Sequence, residues 1–203
     1  MSSTYRIFLL LIVFFLSVKS GLAQDFHLKI TSDSTITAAG DSVNLQRHGK
    51  WSFKDQSGQL VCKGFYNMGV QDSIWIRYDN FRVREIIRLK DGKREGIYTS
   101  YDERQAIVSE ANYENDILEG RYIEYYNNAM IALLGYYNNG LKDSTWTEFT
   151  DYGGKNFVKR YKANQAHGQW EFYYTSNRLQ RIENYSYGIE NGKWTEYFRN
   201  KVL

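Results

Sequence analysis

The chain has 203 residues, room for one domain or a short array of stacked repeats. Its 26 Lys and Arg against 23 Asp and Glu give a net charge of +3. The two signs alternate without clustering, so the footprint of a nucleic-acid or anionic-membrane binder is missing.

Met1 to Ala23 reads as a secretory signal peptide. Arg6 supplies the positive start, Ile7–Val18 the apolar run, and Gly21-Leu22-Ala23 the small residues that precede cleavage, here before Gln24. The apolar run is too short for a membrane span, which needs about 20 residues. The mature chain is therefore expected in the periplasm or outside the cell. Loss of Arg6 and Lys19 leaves 24 basic and 23 acidic residues, a charge of +1.

Residues 24–47 fit no repeat well. Phe26, Leu28 and Ile30 alternate like a short strand, and the stretch TSDSTITAAGDS after them reads as loop. This segment is expected to cap the first edge of the region that begins at residue 48.

Residues 48–203 repeat. The anchor aromatics Trp51, Trp75, Tyr98, Tyr122, Trp146, Trp170 and Trp194 are spaced 24, 23, 24, 24, 24 and 24 residues apart. Such a period marks one supersecondary unit stacked on its neighbours, here six repeats and a terminal half-repeat. Each unit has two apolar runs, such as Trp146–Phe149 and Ile131–Tyr137, bounded by turn residues such as Asp55–Gly58 and Asn138–Gly140. Short runs between such turns are strands of a hairpin. Aromatic residues make up 17% of the chain and proline is absent, which suits pleated surfaces and all-β architecture.

Two residues before each anchor stands Gly49, Ser73, Gly96, Gly120, Ser144, Gly168 or Gly192. The two serines suggest that close packing, more than positive φ, demands a small residue there. The remaining glycines recur at the repeat period and are assigned to turns. Three residues after the anchor a second ladder runs through Tyr78, Tyr101, Tyr125, Phe149, Tyr173 and Tyr197, on the opposite face by strand alternation. Lys54 breaks it, with Phe53 one residue early. A third set, Tyr66, Tyr113, Tyr137, Tyr161 and Tyr185, lies on the second strand, with Leu89 as its apolar stand-in.

Chemistry-bearing residues are few. His48 and His167 share a repeat position with Asp72, Glu95, Glu119, Asp143 and Asn191, which reads as a tolerant polar turn. Glu124, Glu148 and Glu196 also share one position and read as a solvated face. Cys62, the single cysteine, excludes an internal disulfide and reads as a small apolar strand residue. No nucleophile elbow, phosphate loop, dinucleotide fingerprint or metal-ligand spacing is present. No enzyme activity, cofactor or metal is expected.

The segments GQWEFY, GKWTEY, GRYIEY and YYNNG, with the variants DSIW and DSTW, resemble MORN-repeat variant proteins, a group often labelled YwqK-family antitoxins. The likeness runs from about residue 41 to 200. It implies an elongated, single-layer antiparallel sheet of consecutive hairpins and no catalysis. It also implies an interaction or scaffolding role. A single layer leaves its faces uncovered, and tyrosine is enriched at interfaces. The ladder from Tyr78 to Tyr197 is therefore the expected protein-binding surface, with the open C-terminal edge as a second one. A carbohydrate-binding surface built on exposed rings is the alternative, and an antitoxin or immunity role, following the family label, is a third.

Overall fold

The computed structural model describes residues 36–198, so the signal peptide, the Phe26–Ile30 run and the last five residues lie outside it. The described residues form one antiparallel sheet of 17 strands. Its N-terminal half contains β1 (Thr37–Val43), β2 (Gln46–Lys54), β3 (Leu60–Asn67), β4 (Val70–Asp79), β5 (Arg82–Lys90), β6 (Lys93–Arg94), β7 (Gly96–Tyr101) and β8 (Ile107–Glu114). Then come β9 (Ile117–Tyr125), β10 (Ile131–Asn138), β11 (Leu141–Phe149), β12 (Lys155–Lys162) and β13 (Gln165–Ala166). The series closes with β14 (Gly168–Tyr173), β15 (Leu179–Ser186), β16 (Ile189–Glu190) and β17 (Thr195–Glu196).

β6 and β7 both pair with β5, β13 and β14 with β12, and β16 and β17 with β15, so each of these couples is one interrupted strand. Otherwise each strand pairs with the next, and every substantial strand contact is between sheet neighbours. The array is thus a single layer. At about 4.8 Å per strand and 3.3 Å per residue it is roughly 60 Å long and roughly 30 Å wide.

Two kinds of connection alternate. Between repeats the chain turns through two residues, both at positive φ, as at Met68-Gly69 (46° and 84°) and Asn139-Gly140 (49° and 76°). This is the type I′ turn, whose twist matches the strands it joins. Within repeats the loops span five residues, and the first N–H donates to the fifth carbonyl, as Asp55 does to Gln59 at 3.0 Å. The exception is Asn80-Phe81, a two-residue turn with φ of 48° and 63°. That shorter connection accounts for the single 23-residue spacing.

Several expectations need correction. Thr37–Val43 is a strand rather than loop, and it obeys the repeat. Gly40 pairs with Trp51, and the Trp51 indole N–H donates to the Asp41 carbonyl at 2.8 Å. The same bond joins Trp75 to Phe65 and Trp146 to Tyr136, both at 3.1 Å. β1 therefore stands where the second strand of a repeat would stand beside the first anchor.

The small residue before each anchor answers to backbone conformation, not close packing. Ser73 and Ser144 have φ of 60° and 57°, beside 82° at Gly120. Each sits in a bulge where the anchor strand carries two extra residues, such as Lys63↔Ile76 followed by Phe65↔Asp72. The glycines that do pack closely are Gly40, Gly64 and Gly135, which lie in strands and not in turns. The next Trp ring lies directly over each, and a Cβ there would fall inside the indole. Where the anchor is Tyr122 instead, Ala111 takes that place.

Candidate functional site

Strand register sorts the side chains into two faces with different chemistry. The anchors share one face with the second-strand set, since Gly49 pairs with Tyr66 and Gly168 with Tyr185. Rings meet edge-on along it: Tyr66–Trp75 and Tyr137–Trp146 both have centroids 5.1 Å apart, with interplanar angles of 89° and 86°. Phe53 belongs to this face and packs on Trp75 at 6.0 Å, so it is not a displaced member of the other ladder. With Cys62, Tyr66, Trp75 and Leu89 it forms the main buried cluster.

Cations cover these rings. Arg47 lies 4.6 Å from the Trp51 centroid, Arg94 4.0 Å from Tyr113, Lys142 4.2 Å from Trp146 and Lys159 4.8 Å from Trp170. Long basic side chains lay their apolar stems over rings while keeping the charge near water. This face is finished by the chain's own residues.

Carboxylates on the anchor face are tied as well. Glu124 accepts from the Tyr122 hydroxyl at 2.7 Å, and Glu148 from the Asn156 amide at 3.0 Å. Both are half-buried. They form no like-charge ladder, because Leu133 pairs with both and stands between them. Glu183, only 6% exposed, is ion-paired with Arg181 at 2.6 Å and accepts from the Tyr185 hydroxyl. Burial pushes the Tyr137 hydroxyl and the Cys62 thiol each up to about 12. Cys62 is thus a poor nucleophile as well as an inaccessible one. Among the described residues no group of three or more His, Cys, Asp or Glu is placed to hold a metal ion.

The opposite face carries the second ladder. Tyr78, Tyr101, Tyr125, Phe149 and Tyr173 are half-buried along it, and Tyr197 is exposed. Between them the neighbouring strands place Val83, Ile107, Ile131, Lys155 and Leu179, each paired by register with the ring before it. A mainly apolar row runs along the loop edge of the sheet, interrupted by Lys155. The Lys155 Nζ lies 5.6 Å from the Tyr173 centroid, and the Lys63 Nζ lies 5.4 Å from that of Tyr78. Lys54, exposed, stands at its N-terminal end. Two rings are pinned through their hydroxyls: Tyr125 donates to Glu110 at 2.9 Å and Tyr173 to Glu171 at 2.6 Å. Burial, then the bond to the Glu171 carboxylate, pushes Tyr173 up to about 12.

The polar position three residues before each anchor has a definite task that the sequence did not reveal. Its side chain accepts the N–H of the first residue of the type I′ turn ahead. Glu95 takes Asn115 N–H at 3.0 Å, Glu119 takes Asn139 at 2.7 Å, and His48 Nδ1 takes Met68 at 3.4 Å. Asp72 and Asp143 do the same for Asp91 and Ala163, with Ser73 and Ser144 donating to them. His167 differs: its Nδ1 is buried without a hydrogen-bond partner. The recurring acidic character at a fixed offset was the available signal. The acceptor role was not visible because the bonded turn lies about twenty residues on.

Residues 47–68 and 166–187 match the MORN repeat variant family. Both matches start four residues before an anchor Trp and stop at the first residue of a type I′ turn. These two segments match MORN-variant repeats, and the structure shows a similar hairpin unit in the intervening periods. No curated protein matches. Among solved structures the chain is similar, at 12% identity and a TM-score of 0.20, to one described as the crystal structure of TarM. That likeness covers 80% of this chain but only 24% of the other, and it carries no argument about fold or function.

Proposed function

We propose that this chain is an exported, non-enzymatic repeat scaffold that holds a protein partner on the face carrying Tyr78, Tyr101, Tyr125, Phe149 and Tyr173. The contrast between the two faces supports this reading. On the anchor face, Arg47, Arg94, Lys142 and Lys159 cover the rings. On the other face cations lie farther from the rings, Lys63 and Lys155 at 5.4 and 5.6 Å from Tyr78 and Tyr173. The row there is apolar except at Lys155, and the strands make substantial contact only with their sheet neighbours. A partly exposed, mainly apolar row of this kind suits an interaction site, and tyrosine supplies contact area at low entropic cost.

The test is capture from the native envelope with the tagged mature chain, beside a Tyr125→Ala, Phe149→Ala, Tyr173→Ala variant shown by circular dichroism to keep its sheet. One protein near equal stoichiometry, lost in the variant, is the expected result. A partner retained by the folded variant, or no specific partner in either sample, overturns the reading.

A further inference from the structure

Resting on that reading, the spacing of the same row points to the chemistry of its partner: we infer that it binds a proline-rich segment in the polyproline II conformation. The rings at Tyr78, Tyr101, Tyr125, Phe149 and Tyr173 stand on every second strand of a continuous ladder, and Tyr197 follows directly after β17, its N–H bonded to the Gln180 carbonyl. With neighbouring strands about 4.8 Å apart, successive rings repeat every ~9.6 Å.

A ligand lying along the row must return the same side to the sheet at that interval. Polyproline II has three residues per turn and a rise of about 3.1 Å, so residues three apart face the same way every ~9.3 Å. The mismatch of ~0.3 Å per repeat grows to only ~1.5 Å over five intervals. An extended strand returns the same face every ~6.7 Å, and an α-helix every ~5.4 Å. Neither matches the row.

The chemistry of the row agrees with its spacing. Val83, Ile107, Ile131 and Leu179 floor four of the five gaps between rings, forming shallow apolar seats of the kind that accept proline, and Lys155 fills the fifth. A polyproline II segment has no internal hydrogen bonds, so its carbonyls need outside donors. The Tyr78 and Tyr101 hydroxyls can donate to them, whereas those of Tyr125 and Tyr173 already donate to carboxylates. Burial holds the Tyr125 and Tyr173 hydroxyls above the ordinary tyrosine value, which keeps both protonated. Their bonds to Glu110 and Glu171 hold the rings in place before any ligand arrives. Near the C-terminal end the row opens into a shallow depression lined by Tyr174, Leu179, Tyr197 and Phe198 together with Arg178 and Glu196. The ligand is itself preformed, so little conformational entropy is lost on binding.

The test is fluorescence anisotropy of the full chain with a labelled polyproline of about 15 residues, long enough at ~3.1 Å per residue to span about five ring intervals. Gly-Ser and alternating Val-Thr peptides of equal length are the comparisons. Polyproline is expected to bind at least about tenfold more tightly than either. Tyr101→Ala with Tyr125→Ala should weaken it by about tenfold or more, while Tyr187→Ala, in an exposed turn, leaves it unchanged. Equal affinity for all three peptides, a preference for Val-Thr, or insensitivity to the paired substitution overturns the inference. If the native partner is lost from the triple variant yet polyproline does not bind, only the proline chemistry fails. A partner retained by the triple variant sinks both.

Discussion

Gly64→Ala tests whether the indole-over-glycine contact organises the array. Gly64 lies in β3 at ordinary strand φ, so the substitution adds no backbone strain. Its new methyl would land in the ring of Trp75, which is only 4% exposed. Overpacking of this kind costs about 1–3 kcal/mol. Displacing the ring also breaks the indole bond to the Phe65 carbonyl, worth about 1 kcal/mol. It further disturbs the edge-on contact with Tyr66, worth about 0.5–1.5 kcal/mol. The expected loss is about 3 kcal/mol or more, which at a urea m-value of ~2 kcal/mol/M lowers the midpoint by about 1.5 M. Gly58→Ala is the comparison. It has φ of +81° with nothing within 4 Å, so it should lose only about 1 kcal/mol. The chain itself suggests the rescue, because Ala111 already faces Tyr122. Trp75→Tyr in the Gly64→Ala background should recover a large part of the loss, giving a strongly favourable coupling in a double-mutant cycle. Gly64→Ala costing no more than Gly58→Ala, or the two substitutions adding independently, would refute the reasoning.

His167→Glu should supply the turn acceptor that Glu95 and Glu119 provide in other repeats. We expect a gain of about 0.5–1.5 kcal/mol, read as slower amide exchange around Tyr185–Gly188; exchange that speeds up would count against the acceptor role. At alkaline pH, burial holds Tyr98, Tyr122 and Tyr137 above their ordinary value of 10.0, Tyr137 at about 12. The folded state therefore favours the protonated hydroxyls. Their contribution is complete below pH 10 and is lost as pH rises through the folded values. Tyrosinate absorbance should rise late and together with loss of the sheet signal, whereas gradual ionisation from pH 10 in an intact sheet would contradict their burial. Cys62, 1% exposed, should react with a thiol reagent only at the rate of unfolding, so fast labelling of the native chain would show that its cluster opens.

Spacing alone located Trp51 to Trp194 and the hairpins between them, because turn chemistry and strand alternation are local and recur in phase. The ladder from Tyr78 to Tyr197 was legible for the same reason: it sits an odd number of residues from the anchors on an unbroken strand. Only the tertiary structure decided what lies across strands. Gly64 and Trp75 are eleven residues apart on neighbouring strands, and the register that brings ring over glycine depends on the two-residue bulge around Ser73. The serine itself misled, since its positive φ is imposed by that bulge and not announced by the residue type. The turn acceptors at Glu95 and Glu119 reach partners twenty residues on, and β1 joins the repeat through a bond from Trp51 and not through any motif of its own. Sequence period specifies the unit, while the contacts between units arise only when neighbouring strands come together in register.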